Sequence, residues 1–410
     1  MTESSTFVIV GGGLAGAKAA EALRDKDFGG HILLITEEDH LPYERPPLSK
    51  EFLAGKKSLP EFTVDEPAWY RDHNVDLRVG TRVTSVDAAA HTVALPDDTT
   101  VHYDKLLLAT GSRSRRLPIP GSEATGVHFL RTIDDARALD AALVDGSRLA
   151  VIGAGWIGLE VAASARERGV EVSVVEMARL PLCAALGPEL GDVFAQLHRD
   201  HGVDLRLGVS VEEITASADA ASGLQLADGS HVEADTVLIA VGAEPNTELA
   251  EHAGLDVQHG GVQVDSSLRT SDADIFAVGD IAAAEHPLFG MRVRTEHWAN
   301  ALKQPAVAAA GMLGATAKYT ELPYFFTDQY DLGMEYVGHA PRYERVVFRG
   351  DVGGREFTSF WLDGDNRVLA GMNVNVWEGL EDIKDVIRSQ AAVDPQRLTD
   401  ANVPLSGFAT

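Results

Sequence analysis

Hydrophobic residues along this chain fall into short, β-branched runs that alternate with Ala-rich stretches, and the same alternation occurs twice. The first instance predicts a strand over Thr6–Val10, a Gly-rich turn, a helix over about Leu14–Arg24 and a strand over His31–Thr36. The second predicts a strand over Leu149–Ile152, a Gly-rich turn, a helix over about Ile157–Arg168 and a strand over Glu171–Val175. Near-continuous apolar strands joined by such helices read as buried parallel βαβ units. Three more apolar strands punctuate the pattern: Lys105–Ala109 before Thr110-Gly111, Thr236–Ala240 before Gly242, and Ile275–Val278 before Gly279-Asp280. From about Pro323 the character changes. Tyr324, Phe325, Phe326, Tyr330 and Tyr336 cluster, strand–turn–strand signals follow with Asp363-Gly364 at one turn, and a helix is predicted over Leu380–Gln390.

The two turns carry the candidate chemistry. Gly11-Gly12-Gly13-Leu14-Ala15-Gly16 is a GxGxxG between strand and helix, a spacing that permits a tight turn and lets backbone N–H groups approach a pyrophosphate. Glu37 lies 21 residues beyond Gly16, at the end of the next strand, where a carboxylate can bond ribose hydroxyls. Gly153-Ala154-Gly155-Trp156-Ile157-Gly158 repeats the logic, with Glu176 lying 18 residues past Gly158. An acid there favours NADH, because it accepts from the 2′-hydroxyl and repels a 2′-phosphate; Arg179 nearby is a mild counter-argument. The predicted fold class is therefore α/β, with two Rossmann-like dinucleotide-binding domains and a C-terminal α+β domain.

Charge and cysteine content narrow the function. The 410 residues carry 35 Lys+Arg against 62 Asp+Glu, a formal net charge of −27, which disfavours a nucleic-acid binder. No run is apolar and long enough to predict a membrane span, and the start shows no basic leader, so a cytoplasmic protein is expected. The single cysteine, Cys183, excludes an intrachain disulfide, a CxxC redox pair and a four-cysteine metal site, and no His cluster has ligand spacing. No metal is expected. Two dinucleotide sites without redox thiols suggest that one holds a flavin and the other a nicotinamide that reduces it. The electrons must then leave to something that docks.

The segments Pro42-Tyr43-Glu44-Arg45-Pro46-Pro47-Leu48-Ser49-Lys50, Ala109-Thr110-Gly111, Gly153–Glu160, Ile275–Asp280 and Glu296-His297-Trp298 together resemble the FAD-dependent NAD(P)H ferredoxin reductase family. That family includes putidaredoxin reductase, rubredoxin reductase and the reductase components of aromatic-ring dioxygenases. The resemblance implies a glutathione-reductase-like arrangement. FAD would bind a discontinuous domain of residues 1–112 and 247–322, NAD would bind residues 113–246, and residues 323–410 would form the third domain.

It also implies roles for single residues. Lys50 would lie beside the flavin ring and pair with Glu160 near the nicotinamide, making these two the catalytic candidates. Taken alone, Lys50 reads as a solvated surface charge and Glu160 as an exposed carboxylate near a helix start. Asp280 would bond the ribityl chain, Arg131 and Arg45 would contact FAD, and Val83, in a strand over Arg82–Val86, would touch adenine through its backbone. Trp298 would stand beside the isoalloxazine. Trp156 would pack near the nicotinamide, with core packing as the alternative.

The expected cofactors are FAD and NADH. The expected partner is a [2Fe–2S] ferredoxin that serves a P450 or a dioxygenase, and the oligomeric state is left open. Other readings of the acceptor are a rubredoxin, a small molecule, or a redox-sensing role. A disulfide reductase or peroxidase of the same fold would need an active-site cysteine, and Cys183 lies in the wrong domain. The chain departs from the family pattern at Ala184, where a second Arg commonly stands, and at Tyr324 and Phe326, where Trp is frequent. A basic patch for an acidic ferredoxin is expected among Arg292, Arg294, Lys303, Arg342 and Arg345.

Overall fold

A computed structural model describes residues 5–408 of the chain. The chain divides into two compact units, one made of Met1–Glu44, Leu59–Arg113 and Ala243–Pro323, the other of Arg45–Ser58, Ser114–Gly242 and Tyr324–Thr410.

The first unit is built on a five-stranded parallel sheet in the order Ile275–Ala277, Lys105–Leu108, Thr6–Val10, His31–Ile35, Val75–Arg78. Phe7, Val8 and Ile9 on the middle strand, and Ile32 to Leu34 beside it, are fully buried, as expected of a strand covered on both faces. The helix Leu14–Asp25 packs on this sheet through Ala15, Ala19 and Leu23. Small residues along it let the helix Trp298–Met312 approach closely through Ala308 and Ala309. A three-stranded antiparallel sheet (Ser85–Asp87, Thr92–Ala94, Thr100–His102) is inserted between the parallel strands Val75–Arg78 and Lys105–Leu108.

The expected strand over Arg82–Val86 is not formed as such. It begins only at Ser85, because the backbone before it bonds in two directions, Thr81 N–H to Thr36 and Thr84 N–H to Ala94. Val83 sits in this irregular stretch, buried in the core.

The second unit repeats the plan with parallel strands ordered Asp204–Leu207, Glu171–Glu176, Arg148–Ile152, Thr236–Ile239, Val127–His128. The helix Trp156–Glu167 follows the central strand. The aromatic C-terminal segment forms an antiparallel sheet ordered Tyr324–Gln329, Leu332–Gly338, Val368–Val374, Glu356–Leu362, Arg345–Asp351, covered by the helix Leu380–Ser389. Asp363-Gly364 make the turn between two of these strands. The first strand of this sheet lies against the helix Trp156–Glu167 within the same unit. Among the described residues no helix is long and apolar enough to cross a membrane.

Candidate functional site

Both glycine turns have the same internal geometry, and it separates the jobs of their three glycines. Gly11 has φ +116°, and a Cβ placed on it would fall 2.1 Å from the carbonyl oxygen of Ala109; Gly153 has φ +106° and a Cβ there would fall 2.5 Å from that of Ala240. A Cβ on Gly16 would meet the carbonyl oxygen of Gly11 at 1.9 Å, and one on Gly158 that of Gly153 at 2.2 Å. The first and last glycines are thus required by the protein itself, for the turn and for helix–strand contact. Gly13 and Gly155 are different. A Cβ on either meets nothing within 4 Å, so the space each leaves is open toward the helix N-terminus. Each is the N-cap of its helix with extended backbone (φ −80°, ψ −171° and φ −81°, ψ −175°) and no side-chain cap. Uncapped N–H groups beside open space suit a pyrophosphate, so the residues present fit a dinucleotide at both turns.

The flanking groups of the first unit are ordered by local hydrogen bonds. Thr110 and Asn246 clamp each other, the Thr110 hydroxyl donating to the Asn246 carbonyl at 2.7 Å and the Asn246 amide to the Thr110 carbonyl at 2.9 Å. Gly111 follows with φ +63° and accepts from Asn246 N–H at 2.9 Å. Asp280 is buried in a single 3₁₀ turn after the strand Ile275–Ala277, where its carboxylate accepts from the Ser112 hydroxyl at 2.9 Å. The turn itself is fixed by Gly279 N–H donating to the Gln304 side chain at 2.7 Å, and Gly279 lies beside Ala15 on the glycine-turn helix. Asp280 therefore follows directly on a residue that lies against the first glycine turn. Trp298 opens its helix half-buried, with the indole N–H donating to Glu44 at 2.9 Å. Glu37 is exposed and paired with Arg82 at 3.1 Å.

In the second unit Glu176 is held by the turn it serves. Its two oxygens accept from Ala154 N–H and Ala178 N–H, both at 2.8 Å. These bonds use one lone-pair position on each oxygen. Gly242 closes the neighbouring strand end with φ +109° and open space at its α-carbon. Ile157, beside the open Gly155, is 43 % exposed. Trp156 is half-buried, with its ring 4.8 Å from Phe325 and 5.8 Å from Phe194.

The other strong feature of this unit is a buried charge pair. Lys50 and Glu160 are only 8 % and 4 % exposed, with Lys50 Nζ 3.4 Å from Glu160 Oε1, which overturns the solvated readings of each. Lys50 ends a 3₁₀ turn (Pro46–Ser49) begun by two prolines, and its ammonium lies 5.1 Å from the centre of the Phe326 ring. Glu160 and Ser164, four residues apart, share one face of their helix. Ser164 donates to the Ser49 carbonyl at 2.8 Å while the Ser49 hydroxyl donates to Glu160. Thr327 donates to the other Glu160 oxygen at 2.6 Å. A buried carboxylate is tolerable only when so surrounded, since an unpaired one costs several kcal/mol, about 3–5 for breaking such a pair. Arg45 and Arg131 are also neighbours, the Arg45 guanidinium donating to the Arg131 carbonyl.

Sequence reasoning missed Ser49, Thr327, Asn246 and Gln304. Ser49 and Thr327 lie inside segments already singled out, but a hydroxyl within a motif carries no signal of its partner 111 or 167 residues away. The expected basic patch is corrected in part. Arg292, Arg294 and Lys303 are each paired with a carboxylate, Glu285 at 3.3 Å, Glu296 at 2.6 Å and Glu321 at 2.9 Å, so they present little free positive charge. Arg345 donates to Asn366.

The chain is similar to known proteins over nearly its whole length. Residues 5–305 match the pyridine nucleotide-disulphide oxidoreductase family and residues 324–409 the reductase C-terminal family. The ferredoxin–NAD(+) reductase component of the anthranilate 1,2-dioxygenase system of Burkholderia cepacia is 42% identical over 402 residues, 98% of each chain. Among solved structures, the reductase in the covalent putidaredoxin reductase–putidaredoxin complex is 36% identical with a TM-score of 0.95, covering 99% of this chain and 98% of that one. The ferredoxin reductase of the CYP199A2 system from Rhodopseudomonas palustris is 35% identical with a TM-score of 0.95, covering 99% and 100%.

Proposed function

The chain belongs to the pyridine nucleotide-disulphide oxidoreductase family, and from that membership we propose that it is an FAD-dependent NADH:ferredoxin oxidoreductase. Its electrons go singly to a [2Fe–2S] ferredoxin that serves a P450 monooxygenase or a ring-hydroxylating dioxygenase. Relatives similar over almost their whole length carry such names, which supports the acceptor assignment. We place the reaction in the cytoplasm, where NADH is supplied. The observation that carries the redox reading is the pair of open cradles at Gly13 and Gly155 in a chain with one cysteine.

In this reading residues 1–112 and 247–322 hold FAD through Gly11, Gly13, Ala15, Gly16, Glu37, Val83, Thr110, Gly111, Asp280 and Trp298, with Arg45 and Arg131 as further contacts. Residues 113–246 hold the nicotinamide dinucleotide through Gly153, Gly155, Trp156, Ile157, Gly158, Glu176 and Gly242. Bound flavin would supply the conversion of a hydride into two single electrons. The chain's own part is binding and electrostatics. Uncapped helix N-termini face both pyrophosphates, Asp280 accepts from a polyol hydroxyl, and Glu176 accepts from the ribose. Lys50, held by Glu160, keeps a positive charge at the reacting rings.

Glu176 makes the cofactor preference testable. Anaerobic titration of the FAD-loaded protein should bleach the flavin with one equivalent of NADH. NADPH should reduce it at least roughly tenfold more slowly at equal concentration, because its 2′-phosphate would face a like charge. Equal or better reduction by NADPH would contradict the role of Glu176, and no reduction by either nucleotide would contradict the redox reading.

A further inference from the structure

Glu160 is the end of a hydrogen-bond chain that crosses the second unit. Thr327 Oγ1 lies 2.6 Å from Glu160 Oε1, Gln329 Nε2 lies 3.2 Å from Thr327 Oγ1, His198 Nε2 lies 2.9 Å from Gln329 Oε1, and Tyr330 Oη lies 3.3 Å from His198 Nδ1. Thr327, Gln329 and His198 are all at most 1 % exposed, so none can turn to water for a partner.

The direction of every bond follows from the charge at one end. An ion-paired carboxylate only accepts, so the single Thr327 hydroxyl proton goes to Glu160. Thr327 oxygen must then accept from Gln329, which turns the amide nitrogen to Thr327 and its carbonyl oxygen to His198. His198 must donate through Nε2, which leaves Nδ1 bare to accept from the Tyr330 hydroxyl. All four donors point toward Glu160. An amide in the middle is a poor carrier of protons, so the chain orients and does not conduct.

The far end is anchored as well. Tyr330 stands in a tight hairpin turn at φ +56°, a conformation that a bulky side chain avoids unless its surroundings hold it. Its ring stacks on His201 at 3.7 Å and meets His198 edge-on at 5.3 Å. The charged or titratable groups facing the chain include Lys50, Asp328 and Glu51 at the Glu160 end, and His201, Asp331, Arg166 and Glu167 at the other. Burial pushes the His198 imidazole down to about 4, so it stays neutral and single-donor across ordinary assay conditions.

We propose that Thr327, Gln329 and His198 are positioning residues for the Glu160–Lys50 pair, fixing the carboxylate and through it the Lys50 ammonium for hydride transfer. The proposal rests on the assignment of Glu160 and Lys50 to that step, and the test separates the two. Stopped-flow reduction of FAD by NADH is measured for the parent, Glu160→Gln, Thr327→Val and Thr327→Ser, with NADH affinity and flavin content determined for each.

Thr327→Val keeps the shape and removes the donor. It should slow the limiting rate about tenfold with NADH affinity unchanged, and Thr327→Ser should return it to within about twofold of the parent. Independently of turnover, ¹⁵N NMR of the imidazoles in the unmodified holoprotein should show His198 with its proton on Nε2 and a bare Nδ1 from pH 5.5 to 8. Equal rates for Thr327→Val and Thr327→Ser, or a His198 protonated on Nδ1, would overturn the positioning role while leaving Glu160 in place. An unimpaired Glu160→Gln would overturn the assignment on which both depend.

Discussion

His198 is a neutral imidazole sealed inside the second unit, and that has a consequence for stability beyond any part in catalysis. In the unfolded chain a histidine binds a proton near 6.5, whereas desolvation holds His198 down to about 4 in the fold. Between these values the unfolded state carries one more proton, so this residue's contribution to stability is present above about 6.5 and is lost as pH falls toward 4. His198→Leu should therefore melt lower than the parent at pH 7, because Gln329 and Tyr330 lose a partner. Its melting temperature should also fall less steeply between pH 6.5 and 4.5, by up to about 1.4 kcal/mol of stability per pH unit. Parallel curves for parent and variant would contradict a neutral buried His198. Nothing in the sequence around His198 announces this, since it lies on the helix Pro188–Asp200 and its partners, 131 and 132 residues away, stand at the end of the strand Tyr324–Gln329 and in the turn after it. Lys50 and Glu160 were legible only through the motifs that contain them; their burial was not.

The elements themselves were largely readable. Both strand–turn–helix–strand repeats stand within a residue or two of their expected bounds, because apolar runs without alternation and Ala-rich helices have few other ways to be buried. The strand expected over Arg82–Val86 fails because its backbone is shared between two neighbours, which side-chain pattern does not reveal. The glycine turns give the sharpest prediction at this scale. Gly13→Ala places its methyl in open space at a permitted φ, so the FAD-free protein should melt within about 2 °C of the parent while flavin binding is severely weakened. Gly16→Ala gains roughly 1 kcal/mol of helix propensity but drives a methyl against the Gly11 carbonyl, and overpacking of that kind costs about 1–3 kcal/mol or more. It should melt several degrees lower even without FAD. Flavin content and thermal melting of the two variants decide the matter, and similar behaviour of both would contradict the division of roles among the glycines.

At the scale of the whole molecule the family's disulphide chemistry cannot operate within one chain, because Cys183 is the single cysteine. The proposed acceptor is a docked ferredoxin, and the net charge of −27 bears on how it arrives. With Arg292, Arg294 and Lys303 each neutralised by a neighbouring carboxylate, long-range attraction for an acidic ferredoxin is weak and the overall field repels it. The apparent second-order rate for ferredoxin reduction should hold steady or rise as ionic strength increases from 0.01 to 0.15 M, where the screening length shortens from about 30 to about 8 Å. A steep fall over that range would reveal a concentrated basic patch.

The most direct test of the central claim is steady-state cytochrome c reduction by the FAD-loaded protein with NADH, with and without an added [2Fe–2S] ferredoxin. The account predicts strong stimulation that depends on ferredoxin and is much weaker with NADPH. Rapid flavin reduction with no stimulation by any ferredoxin tried would contradict it.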